Sequence, residues 1–123
     1  MNPPLPQVGA FIQPDSRTRF TVWAPLHERL SVHFPGRARS LEMTPGTDGY
    51  HNLVTDAPAG TLYQFEFTDG RRRPDPASLA QPEGVHGPSM VVDRAPPAPT
   101  VPFNNPPLAS HVLYELHVGT FTP

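Results

Sequence analysis

The chain contains no cysteine and no lysine among its 123 residues. Without cysteine there can be no disulfide bridges or thiolate metal sites, so stability must come from apolar burial and backbone pairing. The nine basic residues are all arginines, and eleven carboxylates outweigh them to a net charge of −2. Nucleic-acid binding needs a basic stripe or patch, and only Arg71, Arg72 and Arg73 cluster. No nucleic-acid partner is predicted.

Long hydrophobic runs are also missing. No run approaches the roughly 18 apolar residues needed to cross a bilayer, and residues 1–7 lack the charged start and apolar stretch of a signal peptide. Apolar residues make up only 37% of the chain, so we expect one modest core. Nucleophilic-serine, P-loop and dinucleotide patterns are absent. We therefore expect a cytoplasmic protein with no membrane contact, and we predict no cofactor.

A period-two alternation of apolar and polar residues runs from Val8 to Asp93. Short alternating runs separated by Gly, Pro and Asp are typical of an antiparallel β-sandwich. The predicted strands are 10–12, 19–23, 30–34, 40–43, 50–54, 62–67 and 89–93. The cleanest alternation predicts six core residues: Leu30, Val32, Phe34, Tyr63, Phe65 and Phe67.

Two kinds of turn separate these strands. Thr47-Asp-Gly49 and Thr68-Asp-Gly70 place Asp-Gly where a tight reversal needs positive φ. In Pro74-Asp-Pro-Ala-Ser78, Asp75 can accept from free amides while Pro76 takes the first helical position. This segment predicts a single capped turn opening a short helix at 76–80.

The composition changes after Asp93. Six prolines lie between Arg94 and Ser110, which predicts a stiff linker. Residues 111–118 are then apolar on both faces of an extended chain, as in a strand of a β/α barrel. We predict a sandwich at 1–95, a linker at 96–110 and, at 111–123, the first strand of an incomplete barrel. Unpaired, that strand would be disordered, dock on the sandwich or pair with another copy.

The carboxylates do not form a catalytic pair. Asp48, Asp56 and Asp69 fall in predicted turns, while Glu42 and Glu66 face outward on strands. Glycoside cleavage needs two carboxyl groups across the scissile bond, so no catalytic residue is predicted. Glu115 and His117 share one strand face and are candidates for substrate contact near the barrel mouth; a metal there would need further ligands.

Two aromatic residues could stack on a sugar ring. Trp23 ends an alternating strand and is expected in the core, which leaves Tyr50 as the better candidate. Four further histidines, at 27, 33, 51 and 86, lack metal-ligand spacing and are expected on the surface or in loops. No metal site is predicted.

Several motifs resemble the α-amylase superfamily. They are Phe20-Thr-Val-Trp-Ala-Pro25, Asp48-Gly-Tyr50, Tyr63-Gln-Phe-Glu-Phe67 and Tyr114-Glu-Leu-His-Val-Gly-Thr-Phe121. The resemblance implies an immunoglobulin-like sandwich in front of a catalytic (β/α)8 barrel. Within the superfamily, Arg73-Pro-Asp-Pro-Ala-Ser78 and Gly84-Val-His-Gly-Pro-Ser89 are similar to the malto-oligosyltrehalose trehalohydrolases. His51 departs from the pattern, because relatives often carry a second aromatic residue there.

That family implies a retaining hydrolase of trehalose biosynthesis that cleaves the α-1,4 bond next to the trehalose end of maltooligosyltrehalose. Its catalytic carboxylates lie on later barrel strands, so this chain alone is expected to be inactive. The motif residues expected to have structural roles are Trp23, Pro74, Asp75, Pro76, His86 and Tyr114. Two alternatives stay open: a free-standing glucan-binding module, and the N-terminal domain of a glycogen branching or debranching enzyme.

Overall fold

The computed structural model describes residues 6–94 and 106–121. Within these residues the chain forms short β-strands, three single-turn 3-10 helices and one short α-helix, α1 (Val118–Phe121). The strands are β1 (Gly9–Ile12), β2 (Thr18–Trp23), β3 (Leu30–Phe34), β4 (Arg39–Glu42), β5 (Thr44–Pro45), β6 (Tyr50–Thr55), β7 (Leu62–Phe67), β8 (Arg72–Arg73) and β9 (Ser89–Met90). Six predicted strands match β1 to β4, β6 and β7 within one residue at either end, while the seventh is cut to β9.

The strands form two antiparallel sheets that face each other. One sheet has the order β1-β2-β6-β5, and the other has the order β4-β3-β7-β8 with β9 also paired to β7. Every strand pair in the described part of the chain is antiparallel. The predicted all-β, immunoglobulin-like antiparallel sandwich is confirmed.

The core lies between the sheets and is built by strand alternation. Phe20 of β2 points inward and meets Phe34 of β3 and Tyr63 of β7 edge to face, with ring centroids 5.8 and 4.8 Å apart. Five of the six predicted core residues are at most 2% exposed, and Phe67 packs against them while partly buried. Each such burial stabilises the fold by about 1.5–3 kcal/mol.

Three expectations about aromatic and histidine burial are wrong. Trp23 is 59% exposed, because Phe20 and Val22 point into the core and alternation turns the next side chain outward. His33 and His51 are buried within strands, not on the surface. The Nδ1 atom of His33 lies 2.9 Å from the Ser40 hydroxyl, and His51 pairs across the ladder with the inward-facing Val22.

The segment after β8 forms the predicted capped turn but not the predicted helix at 76–80. The N–H of Ala77 donates to the Asp75 carboxylate at 2.7 Å, and the N–H of Ser78 donates to the Asp75 carbonyl at 3.0 Å. No helix follows the turn, and the Ala80 carbonyl accepts from the Met90 N–H at 2.8 Å. This bond draws the chain towards β9.

The strand predicted at 111–118 is not formed by this chain alone, and its place in a barrel stays a prediction. Residues 111–117 have no regular secondary structure and are exposed, and α1 begins at Val118. A strand needs hydrogen-bonding neighbours, and none of the described strands pairs with this segment. Most of the predicted linker at 96–110 lies outside the described residues, so the division near residue 95 stays a prediction. Within the described part of the chain, no helix has the length and hydropathy that a membrane crossing requires.

Candidate functional site

An apolar cleft of about 420 Å³ opens beside the end of β2. We call it the Trp23 cleft. Its walls come from the end of β2 with the loop that follows, from β7, and from β8 with the Asp75 turn. Residues that define it are Trp23, Pro25, Leu26, Phe67, Pro74 and Pro76.

The loop after β2 is fixed to the turn before β6. The Ala24 N–H donates to the Gly49 carbonyl at 2.8 Å, and the Trp23 indole N–H donates to the Asp48 carbonyl at 2.9 Å. Asp48 and Gly49 have φ values of 56° and 81°, which confirms the predicted turn geometry. A methyl group at Gly49 would lie 2.5 Å from the Pro25 Cβ. Glycine therefore lets these two loops meet, and their contact sets the position of the indole.

A second cavity of about 220 Å³ also borders Trp23. Val8, Trp23 and Pro76 are among its lining residues, so the indole and Pro76 border both spaces. Leu26 at the cleft is 92% exposed. Continuous apolar surface of this kind marks interaction sites on soluble proteins.

The ionisable side chains that line the Trp23 cleft are both basic. His27 packs against Phe67 with ring centroids 4.7 Å apart, and Arg73 donates to the Arg72 carbonyl at 2.8 Å. No carboxylate is among the lining residues that the structure describes. The cleft therefore suits an apolar surface or a ring face and cannot supply the acid and nucleophile of glycoside cleavage.

A buried polar network underlies the turn that carries Pro74 and Pro76. The Tyr63 hydroxyl donates to the Asp75 carboxylate at 2.7 Å, and the Asp75 N–H donates to the Ser89 hydroxyl at 2.9 Å. Asp75 is only 3% exposed, and this burial raises the pKa of its carboxyl group. Burial, and then the adjacent Asp75, raises the pKa of Tyr63. The network ties the turn to β7 and β9.

The other candidate residues are distributed over the surface. Tyr50 is half-buried and lies directly opposite Trp23 in the ladder between β2 and β6, so both face outward from the same sheet. Glu115 and His117 are exposed. Residues 111–117 form no strand in this chain, so the two side chains do not share a strand face here. Tyr114 and His86 are also exposed.

Two further acidic residues, Glu66 and Glu42, belong to surface ion pairs. Glu66 lies 2.6 Å from the Arg72 guanidinium, and Glu42 lies 2.8 Å from that of Arg29. In each case the hydrogen bond from arginine lowers the pKa of the carboxyl group, whereas a general acid needs a raised pKa. Among the described residues no His, Asp or Glu cluster is arranged to hold a metal ion.

Sequence reasoning did not anticipate the cleft, in particular Pro25, Leu26 and the apolar role of Pro74 and Pro76. One signal was available. The apolar run Trp23-Ala-Pro-Leu26 continues past the end of a strand into a loop, where alternation offers those side chains no place in the core.

Comparisons with known proteins place this fold among carbohydrate-active enzymes. The chain is 35% identical over 106 residues to a malto-oligosyltrehalose trehalohydrolase of Saccharolobus solfataricus, a match covering 84% of this chain and 18% of that protein. It is 34% identical over 122 residues to the trehalohydrolase of Deinococcus radiodurans, covering 98% of this chain and 20% of that protein. The chain thus spans about a fifth of the length of these relatives.

Among solved structures, a candidate α-amylase of Salmonella typhimurium superposes with a TM-score of 0.65 and 37% identity, covering 70% of this chain and 15% of that one. No family model matches the chain. The resemblance seen in the motifs is nevertheless confirmed by both comparisons. Over most of its length, this chain is related to the malto-oligosyltrehalose trehalohydrolases of the α-amylase superfamily.

Proposed function

We propose that this chain is the N-terminal part of a cytoplasmic, retaining glycoside hydrolase. The whole enzyme would cleave the α-1,4 bond next to the trehalose end of maltooligosyltrehalose and release trehalose. The observation that carries the proposal is the match to the Deinococcus radiodurans trehalohydrolase across 98% of this chain. The described residues offer no catalytic carboxylate pair, so the hydrolytic residues would lie elsewhere in the enzyme and this chain alone would be inactive.

In this proposal the sandwich is a packing partner and a wall beside the active site. The Trp23 cleft supports that role, because its apolar lining and its exposed Leu26 are suited to packing against another protein surface. Residues 96–110 would be the connector and residues 111–118 the first barrel strand. Glu115 and His117 would then face the substrate side of the barrel.

The test is an assay of the longest product of the reading frame that contains this sequence, with maltooligosyltrehalose as substrate. We expect free trehalose from that product and none from the 123-residue chain. If the longer product folds and binds the substrate but releases no trehalose, the proposal is wrong. Product analysis also distinguishes the branching and debranching alternatives, which would yield new α-1,6 branches or linear chains.

A glucan-binding module is a second candidate, favoured by one observation. Trp23 is 59% exposed and lies opposite Tyr50 on an outward sheet face, and adjacent aromatic rings can stack on the apolar faces of sugars. Titration with maltoheptaose, followed by Trp23 fluorescence, tests it. Saturable binding that is lost in Tyr50→Ala and kept in the control Tyr114→Ala would support this candidate. A flat titration of the intact chain would reject it.

A further inference from the structure

We propose that the second cavity beside Trp23 binds the N-terminal segment 3–6 of its own chain, with the Leu5 side chain inside it. We call this space, of about 220 Å³, the Val8 cavity. It is lined by Val8, Val22, Trp23, Asp75, Pro76 and Ala77. Residues 1–5 lie outside the described part of the chain, whereas the cavity and the residues that lead to it lie within it. This goes beyond the proposed enzyme function, because it concerns how the sandwich holds its own N-terminal segment.

The chain before β1 runs towards this cavity. Gly9 lies opposite Thr21 in the antiparallel ladder of β1 and β2, so the residues before Gly9 approach the end of β2 and not its start. Val8 agrees with that direction, because it lines the cavity together with Trp23. The residues that precede Val8 are therefore directed along the Trp23 side of the sandwich.

The connection between Leu5 and the cavity is short. Leu5 is three residues from Val8, and three extended residues span at most about 11 Å. Val8 itself forms part of the cavity wall, so the Leu5 side chain is held near the opening. Because the segment belongs to the same chain, its effective concentration at the cavity is high.

The segment has the chemistry that this cavity requires. Asn2-Pro-Pro-Leu-Pro6 contains no charged side chain, and proline fixes φ at about −65°, so little conformational entropy is lost on docking. A polyproline II helix has three residues per turn, which places Pro3 and Pro6 on one face. Aromatic-lined grooves bind Pro-x-x-Pro segments of this kind, and the Trp23 indole borders the cavity.

Docking covers apolar side chains that are otherwise exposed. Val8 is 39% exposed and Trp23 is 59% exposed. Leu26 lines the Trp23 cleft and is not among the described residues that line the Val8 cavity. Leu26 therefore stays available for the packing role that the proposed enzyme function gives to the cleft.

The chain contains a natural control for Leu5. Asn105-Pro-Pro-Leu108 has the same four residues as Asn2-Pro-Pro-Leu5. Leu108 is 79% exposed and is not among the described residues that line the cleft or the Val8 cavity. The two leucines share a local sequence, but only Leu5 is joined to the cavity wall by a short connection.

The first experiment compares Leu5→Asp with Leu108→Asp in the intact 123-residue chain. Trp23 is the sole tryptophan, so its emission and its quenching by acrylamide report on the cavity. We expect Leu5→Asp to move the emission to longer wavelength, to increase quenching and to lower the melting temperature by about 4–8 °C, as for the loss of one partly buried leucine. Leu108→Asp should leave emission and quenching unchanged and shift the melting temperature by less than about 3 °C. Equal behaviour of the two variants would overturn the proposal.

A disulfide test identifies which chain supplies the segment. The chain has no cysteine, and Pro76 is exposed and outside the core, so Leu5→Cys with Pro76→Cys introduces the only two thiols. A disulfide needs the two Cβ atoms within about 4.5 Å. We expect a bond within one chain, at a yield independent of protein concentration, and none for Leu108→Cys with Pro76→Cys. No bond in the Leu5 pair, a bond only between chains, or equal yields in the two pairs would each overturn the proposal.

Discussion

Replacing Tyr63 by phenylalanine should destabilise the sandwich through one hydrogen bond. The Tyr63 hydroxyl donates to the Asp75 carboxylate at 2.7 Å, and both residues are at most 3% exposed. Phenylalanine keeps the ring, so the contacts with Phe20 and Phe65, at centroid distances of 4.8 and 6.1 Å, are preserved. The substitution removes a donor from a buried carboxylate and little else.

The magnitude follows from that chemistry. A hydrogen bond to a charged group contributes about 1.5–3 kcal/mol, and a buried acceptor left without its donor costs a similar amount. In a domain of this size each kcal/mol corresponds to about 4–8 °C in the melting temperature. We therefore expect Tyr63→Phe to lower the free energy of unfolding by about 2 kcal/mol and the melting temperature by about 8–16 °C.

Urea unfolding and thermal melting of the 123-residue chain measure both quantities. Tyr50→Phe is the matched control, because Tyr50 lies half-buried on the outward sheet face, and its loss of a hydroxyl should change stability by less than about 0.5 kcal/mol. If both substitutions have the same small effect, the Asp75 network does not stabilise the fold as described.

Two further predictions concern the same loops. Burial raises the pKa of Asp75 in the folded state above its unfolded value, so protonation of Asp75 favours the folded state. The free energy of unfolding of the wild type, relative to that of Asp75→Asn, should therefore be greatest below the unfolded pKa of about 4. This difference should fall as pH rises through the folded pKa. Urea unfolding at a series of pH values measures this, and a difference that does not vary with pH would contradict it. Gly49 and Gly70 both have φ near +80°, but a methyl group at Gly70 meets nothing within 4 Å whereas one at Gly49 would lie 2.5 Å from Pro25. Gly70→Ala should lower the free energy of unfolding by about 1–2 kcal/mol, because alanine disfavours the left-handed backbone. Gly49→Ala should lower it by about 1–3 kcal/mol more, because the added methyl group overpacks the contact with Pro25. Equal losses in the two variants would show that the loop contact is not tight.

The sheets could be predicted from sequence because their signal is local. Alternation at Leu30, Val32 and Phe34, and again at Tyr63 and Phe65, identifies both the strands and the face that enters the core. The Asp-Gly turn at Gly49 is local in the same sense, since the required φ depends on one residue. For this reason the strand boundaries in the sandwich match the structure closely.

The predictions fail where the phase of an alternating strand is not followed to its last residue, or where partners are distant in sequence. The core position predicted for Trp23 rests on its place at the end of an alternating strand, although inward Phe20 and Val22 imply that it faces outward. The role of Asp75 depends on Tyr63 and Ser89, which lie 12 and 14 residues away, and no local pattern connects them. The barrel strand at 111–118 stays a prediction, because composition alone cannot supply hydrogen-bond partners and none of the described strands pairs with this segment.

The most direct test of the central claim is a chimera. In the Deinococcus radiodurans trehalohydrolase, the segment that matches this chain over 122 residues is replaced by this chain, and trehalose release from maltooligosyltrehalose is measured. A version of that enzyme with the segment deleted serves as the control. We predict that the chimera releases trehalose and that the deleted enzyme does not. A chimera that folds and stays soluble but releases no trehalose would contradict the assignment of this sandwich to a trehalose-forming hydrolase.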